Sequence, residues 1–169
     1  MKISVRSLTI MAVVAALYAA VTVAQAHIGF GPIQFRVAEA LNLLAFFNPI
    51  FAPAVLLGVF TANLFSPYGP VDIIFGTGAS LIALVLILVT KKFTNSLLIA
   101  SLWPTIVNAL VIPLVFLIYG GVPITFANFG PFAASVAIGQ FVVVTLFGYT
   151  LCRVLMARNP NFIAIVENI

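Results

Sequence analysis

Sixty consecutive residues, 93–152, carry no charged side chain. A helix crosses the hydrocarbon core of a bilayer with about 20 apolar residues, so this run alone has room for two crossings. Residues 7–26 and 40–71 are equally free of charge. Only 6% of the chain is charged and 64% is hydrophobic, whereas a soluble domain needs roughly 25% charged residues to face water. The pattern predicts an all-α, polytopic membrane protein forming a single domain over residues 1–169. It excludes a soluble enzyme or regulatory domain.

Four spans are predicted at residues 8–26, 71–90, 97–119 and 131–153. The first is about 28 Å long as a helix, which matches the bilayer core. The intervening stretch, residues 36–65, is interrupted by Asn48-Pro49 and by Pro53. Proline removes a helical hydrogen bond and disfavours helix in the residue before it. The stretch is therefore one kinked span or two short helices joined by a tight turn. Charge decides between them. With six helices, Lys2 and Arg6, Lys91 and Lys92, and Arg153 and Arg158 fall on one face, and only Arg36 lies opposite. The positive-inside rule then places both termini in the cytoplasm, with residues 27–35 and 120–130 outside. The N-terminal stretch ending Ala24-Gln25-Ala26 also looks like a cleavable signal, but its apolar run exceeds the usual 7–15 residues.

Several function classes find no support. The net charge of +4 comes from scattered residues at the ends of apolar runs, not from the basic face that nucleic acid requires. The single cysteine, Cys152, cannot close an intramolecular disulfide. No HExxH, Gly-x-Ser-x-Gly or phosphate-loop motif is present, and Gly76-Thr77-Gly78 lacks the lysine of such a loop. His27 is alone at a membrane edge, so neither a metal nor another cofactor is expected. Any energised transport must borrow an ATPase.

The polar side chains gather toward the outer face. Gln34, Arg36 and Glu39 fall at the outer end of the second helix, Asn63 at the end of the third and Asp72 at the start of the fourth. Asn108 and Gln140 fall near mid-depth, and Asn128 in the last outer loop. Polar groups at membrane depth are costly unless they face a cavity or a partner, so these positions suggest a pocket open to the outside. Each has a structural alternative. Arg36 and Glu39 can pair three residues apart, Glu39 and Asp72 can serve as first-turn charges, and Asn108 and Gln140 can join helices. Trp103 reads as an interfacial anchor. In the first span Ala12, Ala16 and Ala20 form a small-residue stripe, as do Ala15 and Ala19, suited to close packing inside the chain or against a partner.

Two blocks of sequence carry a resemblance. Ile33-Gln34-Phe35-Arg36-Val37-Ala38-Glu39-Ala40-Leu41 resembles the IQFR-x-x-EAL signature of the QueT family. Residues 62–77, ANLFSPYGPVDIIFGT, resemble its AN-x-x-SP-x-G-x-x-D-x-x-FGT block. The resemblance implies a six-helix substrate-binding (S) component of an energy-coupling factor (ECF) transporter, taking up queuosine precursors through the cell membrane. It implies association with a transmembrane coupling protein and two ATPases through Ala12, Ala16 and Ala20. One departure stands out: Gly139-Gln140 occupies the place where the family usually has a glutamate. On this reading Glu39 or Asp72 accepts the N1–H and 2-amino group of a 7-deazaguanine, and the other holds an aminomethyl group. Arg36 or an amide donates to O6, and Tyr68 or Phe75 stacks on the ring. An S component for folate or a thiamine precursor, a structural membrane protein without ligand, and an intramembrane enzyme are the alternatives.

Overall fold

The computed structural model describes residues 4–30 and 33–169. Helix α1, Val5–Ala24, begins where the Ser4 side chain accepts the backbone N–H of Ser7 at 3.0 Å, satisfying one of the donors left free at a helix start. A single turn, α2 (Ala26–Gly29), follows. Helix α3, Val37–Phe47, is a 3-10 helix over its first seven residues and α-helical thereafter. The chain breaks at Asn48-Pro49, where Asn48 Oδ1 accepts the N–H of Ile50 at 3.1 Å. It resumes as α4, Phe51–Asn63. Pro53 is the third residue of α4, where a missing N–H removes no intrahelical bond. The interrupted stretch is thus two short helices, not one kinked span.

Helix α5, Asp72–Phe93, opens with a π-helical turn over Asp72–Gly76. Helix α6 runs from Leu97 to Tyr119, as expected. Helix α7 occupies Phe126–Arg158, with π-helical geometry over Phe141–Tyr149. Its start differs from the sequence-based expectation at Pro131. Thr125 caps the helix by accepting the N–H of Asn128, and Pro131 is carried inside the helix. Asn128 therefore sits in the first turn of α7 and not in a loop. A short α8, Phe162–Glu167, completes the described elements.

Four of these helices, α1, α5, α6 and α7, are long and apolar enough to cross a membrane. The other two apolar helices are shorter. Thirteen residues of α4 span about 20 Å, against a core of about 30 Å. The protein is all-helical and multi-pass; the expected six spans resolve into four of full length and two short helices.

Helix α3 lies in the middle, touching α1, α4, α5, α6 and the π-helical part of α7. Its neighbours come close because small residues line the crossings. On α4, a Cβ at Gly58 would lie 2.7 Å from Tyr18 Cβ and 2.8 Å from the Ala15 carbonyl of α1. No side chain fits there.

The two ends of the bundle differ in charge. At one end Ser7 donates to the main-chain oxygen of Ile169, and Asn48 Nδ2 donates to the Val166 carbonyl at 3.0 Å. Phe162 of α8 meets Phe47 edge-on, and the Lys91 ammonium lies 4.9 Å from the Phe46 ring. The start of α1, the Asn48 turn, Lys91 and α8 thus share this end. Arg36 lies at the other. Lys2 is outside the described residues.

Candidate functional site

Arg36 ends the extended segment that leads into α3, with φ −94° and ψ 94°. The preceding Gln34 holds a left-handed backbone, φ 50°, which side-chain-bearing residues seldom adopt. Its carbonyl accepts the Arg36 N–H at 2.9 Å. This kinked approach turns the guanidinium inward, where it is 4% exposed. Nε donates to the Gly29 carbonyl at 2.9 Å, Nη1 to Asn63 Oδ1 at 3.4 Å and Nη2 to Asp72 Oδ2 at 3.5 Å. The Phe30 ring lies 4.6 Å from the guanidinium carbon. Arg36 does not pair with Glu39. It precedes the helix, so the three-residue helical spacing does not bring the two together.

Asp72 is fixed from several sides. Ser66 Oγ donates to its carboxylate at 2.6 Å, while Asn63 Nδ2 donates to the Asp72 carbonyl at 2.9 Å and to Thr77 Oγ1 at 3.2 Å. Arg36–Asp72 is the one ion pair among the described residues.

Glu39, in the first turn of α3, is 1% exposed. Tyr18 OH donates to Oε1 at 2.8 Å, and Asn42 Nδ2 donates to Oε2. Neither partner carries charge. Arg36 lies close to the Tyr18 hydroxyl, so its charge is near Glu39 although the two form no direct ion pair. Glu39 still has free lone pairs, because an ionised carboxylate offers about four acceptor sites.

Gln34, Asn108 and Gln140 are buried as well. Gln140 Oε1 and Asn42 Oδ1 have no hydrogen-bond partner. Next to Gln140, Gly139 lies directly against the main chain of Ile33, where a Cβ would collide with the carbonyl. Glycine here lets the segment before Arg36 lie on α7. Three expected positions are not buried. Tyr68 is exposed and packs edge-on against Phe116 at 4.5 Å; Phe75 is exposed; Asn128 is exposed and donates to the Pro123 carbonyl. Tyr18, Asn42 and Ser66 belong to the cluster without having been singled out from sequence. Asn42 follows Glu39 by three residues, and Ser66 sits inside the second sequence block, so both carried a readable signal.

On α1 the two alanine stripes part company. Ala15 and Ala19 are buried, whereas Ala12, Ala16 and Ala20 are exposed. Trp103 donates its indole N–H to Thr90 Oγ1 at 2.7 Å, tying α6 to α5. His27 is exposed, and among the described residues no three His, Cys, Asp or Glu side chains converge on a common point.

The QueT transporter profile matches residues 8–157, spanning both sequence blocks and the residues around Arg36, Asp72 and Glu39. The chain belongs to the QueT transporter family. That family is one of transporters and not of enzymes. The Queuosine precursor transporter QueT of Lactococcus lactis subsp. cremoris (strain MG1363) is 43% identical over 76 residues, a stretch covering 44% of this chain and 44% of that relative. No solved structure matches the chain.

Proposed function

We propose that this protein is the membrane-embedded S component of an ECF-type importer, capturing a queuosine precursor of the 7-deazaguanine class from outside. The observation that carries the reading is Glu39, a buried carboxylate without a direct ion pair, set in a chain of this family. A 7-deazaguanine presents adjacent N–H groups on one edge, and a carboxylate accepts from both. Gln140 Oε1 and Asn42 Oδ1 add unpartnered acceptors. Arg36, held beside Asp72, supplies the donors for the carbonyl edge, and Gln34, Asn63 and Asn108 complete the polar lining. Tyr68, Phe75 and Asn128 serve as contacts only on ligand entry, because they lie outside the buried cluster. Buried polar groups of this type discriminate strongly, since the wrong ligand leaves them unpaired.

In this reading the basic end of the bundle faces the cytoplasm of the cell, with both termini there. The exposed stripe Ala12, Ala16 and Ala20 meets the transmembrane coupling protein, whose two ATPases power uptake. Gln140, in place of the family's usual glutamate, shifts preference among precursors. Titration of purified protein with 7-cyano- and 7-aminomethyl-7-deazaguanine tests the substrate assignment. Binding of either supports it; tight binding of folate or a thiamine precursor, with none of a 7-deazapurine, refutes it. Impermeant labelling of a cysteine at residue 92, with Cys152 replaced, tests the orientation. Labelling from outside intact cells reverses it.

A further inference from the structure

At the end of the bundle opposite Arg36 lies a half-open cavity of about 360 Å³. Its size falls within the range of small-molecule sites, roughly 300–1,000 Å³. Phe46 and Phe47 of α3, Tyr149 of α7 and Ile163 of α8 give it an apolar wall. Its polar side is formed by Lys91 at the end of α5, Arg153 of α7 and the first turn of α6. Among the described residues no carboxylate pairs with Lys91 or Arg153, because the sole ion pair is Arg36–Asp72. Lys91 is half-buried against the Phe46 ring, so its charge is not fully given over to water.

The start of α6 adds to the positive field. A helix N-terminus carries a partial positive charge and several N–H groups without intrahelical acceptors. The Ser96 side chain covers only one of them, the N–H of Ile99 at 3.4 Å. Two cations and a helix start therefore converge on one cavity with an apolar wall and no internal counter-charge. The cavity also sits where the apolar helices end. Basic pockets between membrane helices at this level suit phosphate head groups, whose acyl stem lies along the apolar side.

We propose that this cavity binds a phosphate group, supplied by an anionic lipid of the adjoining leaflet. The site is separate from the buried Glu39 cluster and independent of which substrate that cluster takes.

The test uses full-length protein in neutral detergent, titrated with short-chain phosphatidylglycerol, short-chain phosphatidylcholine and inorganic phosphate, with bound ligand read by native mass spectrometry. Phosphatidylglycerol is expected to bind at least about tenfold more tightly than phosphatidylcholine. Lys91→Gln with Arg153→Gln is expected to lose about tenfold, and Lys91→Arg with Arg153→Lys to retain binding. If the neutral double variant does not fold, each single glutamine variant is expected to lose about threefold. Inorganic phosphate binding as tightly as the lipid would support the phosphate site and assign its source to solution. Equal binding of the two lipids overturns the proposal. Unchanged lipid binding in a folded neutral variant also overturns it, and loss of coupling-protein assembly in that variant would make the basic face a protein contact instead.

Discussion

Replacing Glu39 with glutamine separates recognition from folding, because the surroundings of Glu39 accommodate an amide. Tyr18 OH and Asn42 Nδ2 both donate to the carboxylate. Glutamine keeps one acceptor oxygen for Tyr18 and turns an NH₂ toward Asn42. The Asn42 Oδ1 has no partner, so a flip of that amide converts Asn42 from donor to acceptor and restores the bond. The number of internal hydrogen bonds is conserved, and a buried charge without a direct ion pair is removed. Stability should change by less than about 1 kcal/mol. The ligand has no such remedy. It loses a charge-assisted acceptor, worth about 1.5–3 kcal/mol, or about 10- to 150-fold in Kd. Isothermal titration with a 7-deazaguanine precursor, beside a thermal melt of each variant, measures both quantities. A Kd within threefold of wild type together with a lowered melting temperature would refute the reasoning, since Glu39 would then be a structural group only.

Asp72→Asn should weaken binding of the aminomethyl precursor more than that of the 7-cyano precursor if Asp72 holds the amine; titration of both ligands against one protein preparation checks this. Ala16→Trp with Ala12→Trp should block assembly with the coupling protein while sparing ligand binding, because both residues are exposed on α1 away from its α4 contact; pull-down and titration should diverge. Gly58→Ala should cost about 1–3 kcal/mol, since its Cβ would meet backbone and Cβ atoms of α1 that cannot swing away; thermal melting in detergent reads the loss.

The long helices were legible because uncharged runs of spanning length have few other fates, and Leu97–Tyr119 was read to the residue. The Asn48-Pro49 break was legible through proline sterics. The start of α7 was not, because Pro131 is a stronger visible signal than the Thr125 cap that sets the boundary. Buried polar residues such as Arg36, Glu39, Asn63 and Asp72 were visible in the sequence as polar groups within or beside apolar runs, but their partners were not. Arg36 and Asp72 are 36 positions apart, and their meeting depends on how α3 and α5 pack, whereas the nearer pairing with Glu39 follows from helical spacing alone. Tyr18 escaped notice because an aromatic residue in an apolar span looks like core. Likewise, two alanine stripes with the same four-residue spacing gave no hint that Ala15 would be buried and Ala16 exposed.

The wide π-helical stretch of α7, Phe141–Tyr149, sets the rotational phase between the two halves of that helix. A π-helical turn holds more residues than an α-helical turn. Ahead of it lies Gly139, packed against the segment before α3. Within it Thr145 donates to the Ser101 carbonyl at 3.1 Å, and beyond it Arg153 borders the basic cavity. Deleting one residue from the stretch would let it close to α geometry, and the larger rotation per residue would offset most of the turn lost with the missing one. The stretch is therefore where α7 absorbs a one-residue change in length while its two ends keep nearly the same phase.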